Sequence, residues 1–361
     1  MAAAIAATFL LDLSVTLVAA PAVSNNLGIP VILTDDVLEG GGAGTYMAFT
    51  STTAVADALA ASKIASATAA ALNAALGQDA RPTAIYVVTY GSGGGAVAPY
   101  AALTTAIEAG LDVGAFLLAT TSESALETLA TAYAADERRA RMVMLAQSAD
   151  TGLYGGSKPA SLDALEDSGI RVFYSSDTQY IAPAYLGRLT GQDLTEGPPG
   201  ATFRPLGVAP PTLTEAQLTN LLANDASAVA KQDYGATATE RITLGVKAYD
   251  GSSWVASVVC RYVCRQLYAV LLALWQQHAI SGIALQANAV GMAEIAAAAQ
   301  GVLAPLASVN YFTPVAAAPT GYTITPGTAS DDGGAYLTLD VTLYIGREAY
   351  RISVPITGQE V

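Results

Sequence analysis

The chain has 361 residues, 52% of them hydrophobic and only 13% charged, with 30 acidic against 16 basic residues, a net charge of −14 and one histidine. This balance excludes binding to a phosphate backbone, which needs clustered Lys and Arg. So few charges leave little surface to keep wet, and the length suffices for two or three compact domains, so much of the chain must be buried against itself or against copies of itself.

The N-terminus, "MAAAIAATFLLDLSVTLVAAPAVS", has the look of a signal peptide, but its first basic residue is Lys63 and Asp12 interrupts the apolar run, so it is not read as one. Residues 10–17 alternate: Leu11, Leu13, Val15 and Leu17 share one face, and Leu10, Asp12, Ser14 and Thr16 the other. That period of two predicts a half-buried strand. Residues 19–26 read as a loop, 29–33 as a short apolar strand, Gly40-Gly41-Gly42 as a flexible turn, and 51–76 as an Ala-rich helical region.

From 83 to 175 the pattern alternates: strand 84–90, helix 98–109, strand 113–119, helix 124–136, strand 141–146, helix 161–167 and strand 170–174. Ser124 and Glu127 fit a capping box. Apolar strands alternating with amphipathic helices predict βαβ units and a parallel sheet. Residues 192–211 are Pro- and Gly-rich and read as a linker. Thr212 and Glu215 fit a second capping box, opening a helix to about 230, and 241–248 reads as a strand. Ser252 and Ser253 can cap a helix over 254–279, apolar nearly all round and so expected to be buried; another helix is expected at 292–303. No window joins 18 uninterrupted apolar residues to the flanks of a membrane span, so no membrane insertion is expected.

The C-terminus alternates most cleanly. Leu337, Leu339, Val341 and Leu343 share a face, and after a turn at Gly346-Arg347-Glu348, Tyr350, Ile352, Val354 and Ile356 repeat the pattern. Pro355 cannot donate to a ladder, which places this last strand at an edge or an end. The amphipathic strands at both chain ends have no obvious partner nearby. Two readings stay open: they pair within the chain, or they add to a neighbour's sheet.

Several patterns invite a chemical reading. Gly91-Ser92-Gly93-Gly94-Gly95-Ala96 fits G-x-G-x-x-A between a strand and a helix, the dinucleotide fingerprint. That site also wants an acid ending the second strand. Asp112 has the distance but precedes its strand, Thr120, Thr121 and Ser122 follow it, and Glu123 suits a helix N-terminus. The glycines are therefore read as a flexible β–α connection. His278 would have to serve any catalytic triad, yet its place near a helix C-terminus suits a dipole contact. Cys260 and Cys264, four apart on a helix, read as small buried apolar residues, and Asp35-Asp36 and Asp331-Asp332 as solvated turns. No cluster marks an active site or a cofactor.

The order of segments carries a resemblance. A β arm precedes "AVSNNLGIPVIL"; "ALGQDARPTAIYVVTY" joins a helix end to a strand; "LTEAQLTNLLANDASAVAKQDYG" follows the βαβ block; and "AYDGSSWVASVVCRYVCRQL" opens the long helix. Taken together, this resembles the tail sheath proteins of contractile-tailed bacteriophages and related injection systems. Their Asp-Trp pair is matched here by Ser253-Trp254, with Asp250 earlier.

The resemblance implies a multidomain α+β and α/β fold with N- and C-terminal β arms. It implies an arm and linker at 1–26, a core from 27–82 plus 206–330 built from both chain ends, an inserted βαβ domain at 83–205, and a C-terminal hairpin or arm at 331–361. The role implied is structural and without a cofactor. Subunits would form six-fold rings stacked around a tail tube and contract to drive the tube through the host envelope. The partners implied are further copies, the tube protein, and baseplate and tail terminator proteins. The place implied is the virion, after assembly in the host cytoplasm. Strand addition between neighbours would use Leu11, Leu13, Val15, Leu17, Leu337, Leu339, Val341, Leu343, Tyr350, Ile352 and Val354, with 19–27 and 315–333 as hinges. The alternatives are a nucleotide-dependent α/β enzyme using Gly91–Ala96, which no cluster of catalytic His, Cys or Lys supports, and a secreted or surface-layer protein.

Overall fold

The computed structural model describes residues 26–36, 38, 42–91, 98–119, 122–175, 179–200, 206–233, 239–331 and 334–345. The strands expected at 10–17 and 350–356, nearly all of the 19–26 loop, and most of the glycine run lie outside these residues. The fold is mixed α+β and divides into two compact units. One, the sheet unit, takes residues 27–192 and 199–258; the other, the hairpin unit, takes 193–198 and 259–346. Both crossings near residue 195 fall in the Pro- and Gly-rich stretch read as a linker.

In the sheet unit, β1 (Ile29–Thr34), β3 (Ile85–Thr89), β4 (Val113–Leu118), β5 (Val143–Ser148) and β6 (Ile170–Tyr174) run parallel. β2 (Tyr46–Phe49) pairs antiparallel with β3, and the spatial order is β2-β3-β1-β4-β5-β6. The expected boundary between 82 and 83 thus falls inside one sheet, since β1 lies between β3 and β4. Every residue of β4 and β5 is buried, as a sheet covered on both faces requires. On one face Val31, Leu33, Phe116, Leu118 and Met144 meet Leu103, Leu126, Leu129 and Tyr133, from α3 (Pro99–Glu108) and α4 (Glu123–Ala135). The other face is covered by α2 (Ser66–Leu76) and α5 (Ile181–Thr190). There Gly187 lets two helices touch: a Cβ would come within 2.0 Å of the Ala75 carbonyl oxygen.

Several elements differ from expectation. The Ala-rich region is two helices, α1 (Thr52–Ala60) and α2, because Ser62 adopts φ 55, the left-handed stop usually marked by Gly or Asn. α4 begins two residues before a Ser124 cap would allow, with Ser122 at the N-cap, so the Ser124–Glu127 box does not form. The box expected at Thr212–Glu215 sits two residues later, at Thr214–Gln217, with both reciprocal bonds made. The helix it opens, α6 (Glu215–Ala223), stops well short of 230. Ser227 instead bonds the edge of β6, donating to the Val172 oxygen at 2.8 Å and accepting from the Tyr174 amide at 2.9 Å. The chain then forms an antiparallel hairpin, β7 (Ala228–Asp233) and β8 (Thr239–Leu244). The helix expected at 161–167 is a 3₁₀ segment at Ala160–Leu165.

The long helix α7 (Trp254–Ser281) starts in the sheet unit, where Ser253 Oγ accepts from the Ala256 amide at 3.3 Å, and continues into the hairpin unit. The hairpin unit adds α8 (Ala289–Ser308), β9 (Tyr322–Asp331) and β10 (Gly334–Leu343). β9 and β10 pair antiparallel along their whole lengths, and α8 covers them. A two-stranded sheet is marginal alone, so that cover is what lets it persist. α7 and α8 are both long and apolar enough to cross a membrane. The most apolar window of α7 is 61% buried, as in a core helix, against 28% for α8.

Candidate functional site

β3, the strand that the glycine run follows, is not where a dinucleotide site lies. In chain order the parallel strands are β1, β3, β4, β5 and β6, so the second lies outside the first. The strand order reverses between β1 and β4, and ligands of doubly wound sheets bind at the carboxyl ends of that pair. The glycines follow β3 instead. Asp112 is at the wrong end of the sheet: its carbonyl accepts from the Ile29 amide at 3.0 Å, where β1 and β4 begin. Glu123 is the first residue of α4, and α3 opens at Ala98 with no side-chain cap.

Gly91 has its own structural reason. Its amide donates to Thr89 Oγ1 at 3.0 Å, and a Cβ would lie 2.6 Å from that oxygen. Thr89 Oγ1 in turn donates to the Asp36 carbonyl. The pair at the end of β1 is therefore more than a solvated turn: Asp36 Oδ2 accepts from the Ala65 amide at 2.7 Å, at the start of α2. Nearby, burial and then the Asp35 and Asp36 carboxylates push the Tyr90 phenol up to about 12.

The His278 ring has no serine partner among the described residues, and Ser281 Oγ donates to the His278 backbone carbonyl at 2.9 Å. The ring's Nε2 lies 2.9 Å from Glu294 Oε2 and its Nδ1 3.0 Å from the Ile283 carbonyl, joining the end of α7 to the start of α8. Both ring nitrogens face acceptors, so both bonds are donated only by the imidazolium. Cys260 and Cys264 form no disulfide and are exposed, against the expectation of burial, because α7 turns that side of its surface outward. Asp331 ends β9 opposite Gly334. Among the described residues, no group of three or more His, Cys, Asp or Glu could hold a metal ion.

Of the residues expected to add strands between subunits, Leu11, Leu13, Val15, Leu17, Tyr350, Ile352 and Val354 lie outside the described residues. Leu337, Leu339, Val341 and Leu343 do form a strand, opposite Thr328, Pro326, Ile324 and Tyr322. β10 therefore has a partner in its own chain, and much of the stretch read as a hinge at 315–333 is β9. No described strand pairs with the outer edges of β9, β10 or β2.

The sequence reading missed one buried feature. Arg171, fully buried in β6, donates through Nε to Ser227 Oγ at 2.9 Å, and through its terminal nitrogens to Tyr185 Oη at 2.7 Å and the Gly245 carbonyl at 2.6 Å. Its guanidinium lies over the rings of Phe173, Tyr185 and Trp254 at 5.0, 4.6 and 5.6 Å. Trp254 Nε1 donates to the same Tyr185 oxygen at 2.9 Å. The arrangement ties β6, α5 and the first turn of α7 together. Its only trace in the sequence is a cation inside the apolar run "GIRVFY".

These observations define an α/β chain built around a doubly wound sheet, with an added helix-and-hairpin unit and no catalytic constellation among the described residues. The sequence matches no protein-family model and no curated protein. The fold is similar to that of the sheath tail protein Lin1278 from Listeria innocua, with a TM-score of 0.55 at 10% identity, over 89% of this chain and 96% of that one.

Proposed function

We propose that the chain is a structural subunit of a contractile tail sheath. The observation that carries this reading is the likeness of fold to a sheath tail protein over 89% of the chain, which reaches into both compact units. Two features support it. β3, the strand that the glycine run follows, is not one of the pair at which the strand order reverses, and Asp36 and His278 make contacts at helix ends. In this reading the subunits stack as six-fold rings around a tail tube, bounded by baseplate and terminator proteins, in a virion assembled in the host cytoplasm. Contraction drives the tube through the host envelope. The segment 1–26 acts as one arm and the chain beyond β10 as the other. Leu11, Leu13, Val15, Leu17, Tyr350, Ile352 and Val354 supply strands to neighbours, and the β10 residues receive them. The open strand edges of β9, β10 and β2 support such addition.

Negative-stain electron microscopy of the purified protein tests this. Striated hollow tubes or stacked rings are expected. A chain lacking residues 1–18 is expected to remain folded and fail to polymerise. Uniform small particles from the full chain at high concentration would overturn the reading.

A further inference from the structure

Between Arg265 and Asp331 the sequence carries a single formal charge, Glu294, and that carboxylate is paired with His278 at 2.9 Å. Beyond this pair, residues 279–293 form the tip of the α7–α8 hairpin, with no charged side chain. The exposed large apolar side chains among the described residues are Tyr46, Leu59, Ile280, Ile283 and Val290, and the last three all lie on this tip, at 80%, 65% and 64% exposure. The turn is locally specified. Gly282 takes φ 69, Asn288 Oδ1 caps α8 by accepting from the Val290 amide at 2.9 Å, and His278 holds the Ile283 carbonyl. Three apolar side chains held outward on a fixed turn, in place of a flexible loop, make a binding surface that loses little entropy on docking.

We propose that this tip docks against a second copy of the same chain. Charge selects the occupant. Copies that each carry −14 repel one another wherever carboxylates meet, and the tip is a face where they do not. A lipid surface fits less well: no Lys or Arg occurs from 266 to 330, and membrane-surface helices flank their apolar face with basic residues. The inference deepens the sheath reading by naming a contact between its subunits, and its test separates the two.

The full chain carrying a photo-crosslinking phenylalanine at position 283 is irradiated, and the products are read by denaturing gel and peptide mass spectrometry. A covalent dimer with both peptides from this chain is expected. In that chain Ile280→Asp is expected to lower the dimer yield at least about tenfold, with Val290→Asp as an independent variant, and circular dichroism confirming that each remains folded. No dimer, or a yield unchanged by the aspartates, overturns the proposal, as does flotation of the wild-type chain with phosphatidylcholine vesicles that the aspartates abolish. Tubes unaffected by the aspartates leave the sheath reading standing and remove this one; dimers without tubes do the reverse.

Discussion

Arg171 and Tyr249 show how differently two buried polar side chains can be treated. Arg171 has partners on every side, so truncation would leave the Tyr185 hydroxyl and the Gly245 carbonyl with lost bonds around a cavity. Arg171→Ala is expected to destabilise the fold by about 3–5 kcal/mol, measured as a shift in the denaturant midpoint. Arg171→Met should recover part of that loss, since it fills the space without a cation. Tyr249 is the opposite case. Its ring is fully buried, yet its hydroxyl has no hydrogen-bond partner among the described residues. Burial, and then the carboxylates of Glu166, Asp150, Asp163 and Asp225, hold its phenol well above the usual range, so it stays protonated. Tyr249→Phe removes a desolvated group that gains nothing. It is expected to leave stability unchanged or raise it by up to about 1 kcal/mol in the same measurement; a loss of about 2 kcal/mol or more would mean that the hydroxyl does have a partner.

At the level of elements, the parts of the fold that periodicity controls were legible. Strands β3 to β6 and helices α3, α4 and α7 fall within a few residues of where apolar spacing puts them, because burial on both faces of a parallel sheet demands that spacing. Starts, stops and partners were less legible, and each has a local cause. Ser62 stops a helix in a conformation that its residue type does not advertise. Thr212 and Thr214 are both plausible caps, and only the bonds made by Gln217 decide between them. Thr214→Ala is therefore expected to cost about 1 kcal/mol, and Thr212→Ala close to nothing. Equal losses would mean that the helix starts elsewhere. β10 was recognised as a strand from its alternation, but its partner was not. β9 contains Pro326 and Gly327, which mask the strand pattern, and register with β10 is what makes "YTITPGTASD" a strand. The candidate site was the least legible part, since exposure at the α7–α8 tip depends on which neighbours cover a helix and no spacing reports that.

For the whole molecule the governing quantity is charge. A net −14 on 361 residues opposes any assembly of many copies, most strongly where screening is weak. Raising the salt from about 0.01 M to about 0.15 M shortens the screening length from about 30 Å to about 8 Å. Polymerisation followed by light scattering is expected to speed up and to start at lower protein concentration over that range. If salt instead dissolves the assemblies, attraction between opposite charges is holding the copies together, and contacts other than the uncharged tip must dominate.

The central position of β1 also has a consequence in time. Its burial pattern is nearly complete, and both its neighbours come later in the chain, β3 some 50 residues on and β4 some 80. During synthesis at about 5–20 residues per second, the segment Ile29–Thr34 therefore emerges on the order of 4–16 s before its second neighbour exists. For that interval an apolar strand with two open edges is held by nothing of its own. The middle strand of the sheet is made before either strand that flanks it, so the nascent chain is most exposed to misassociation well before the sheet can close around it.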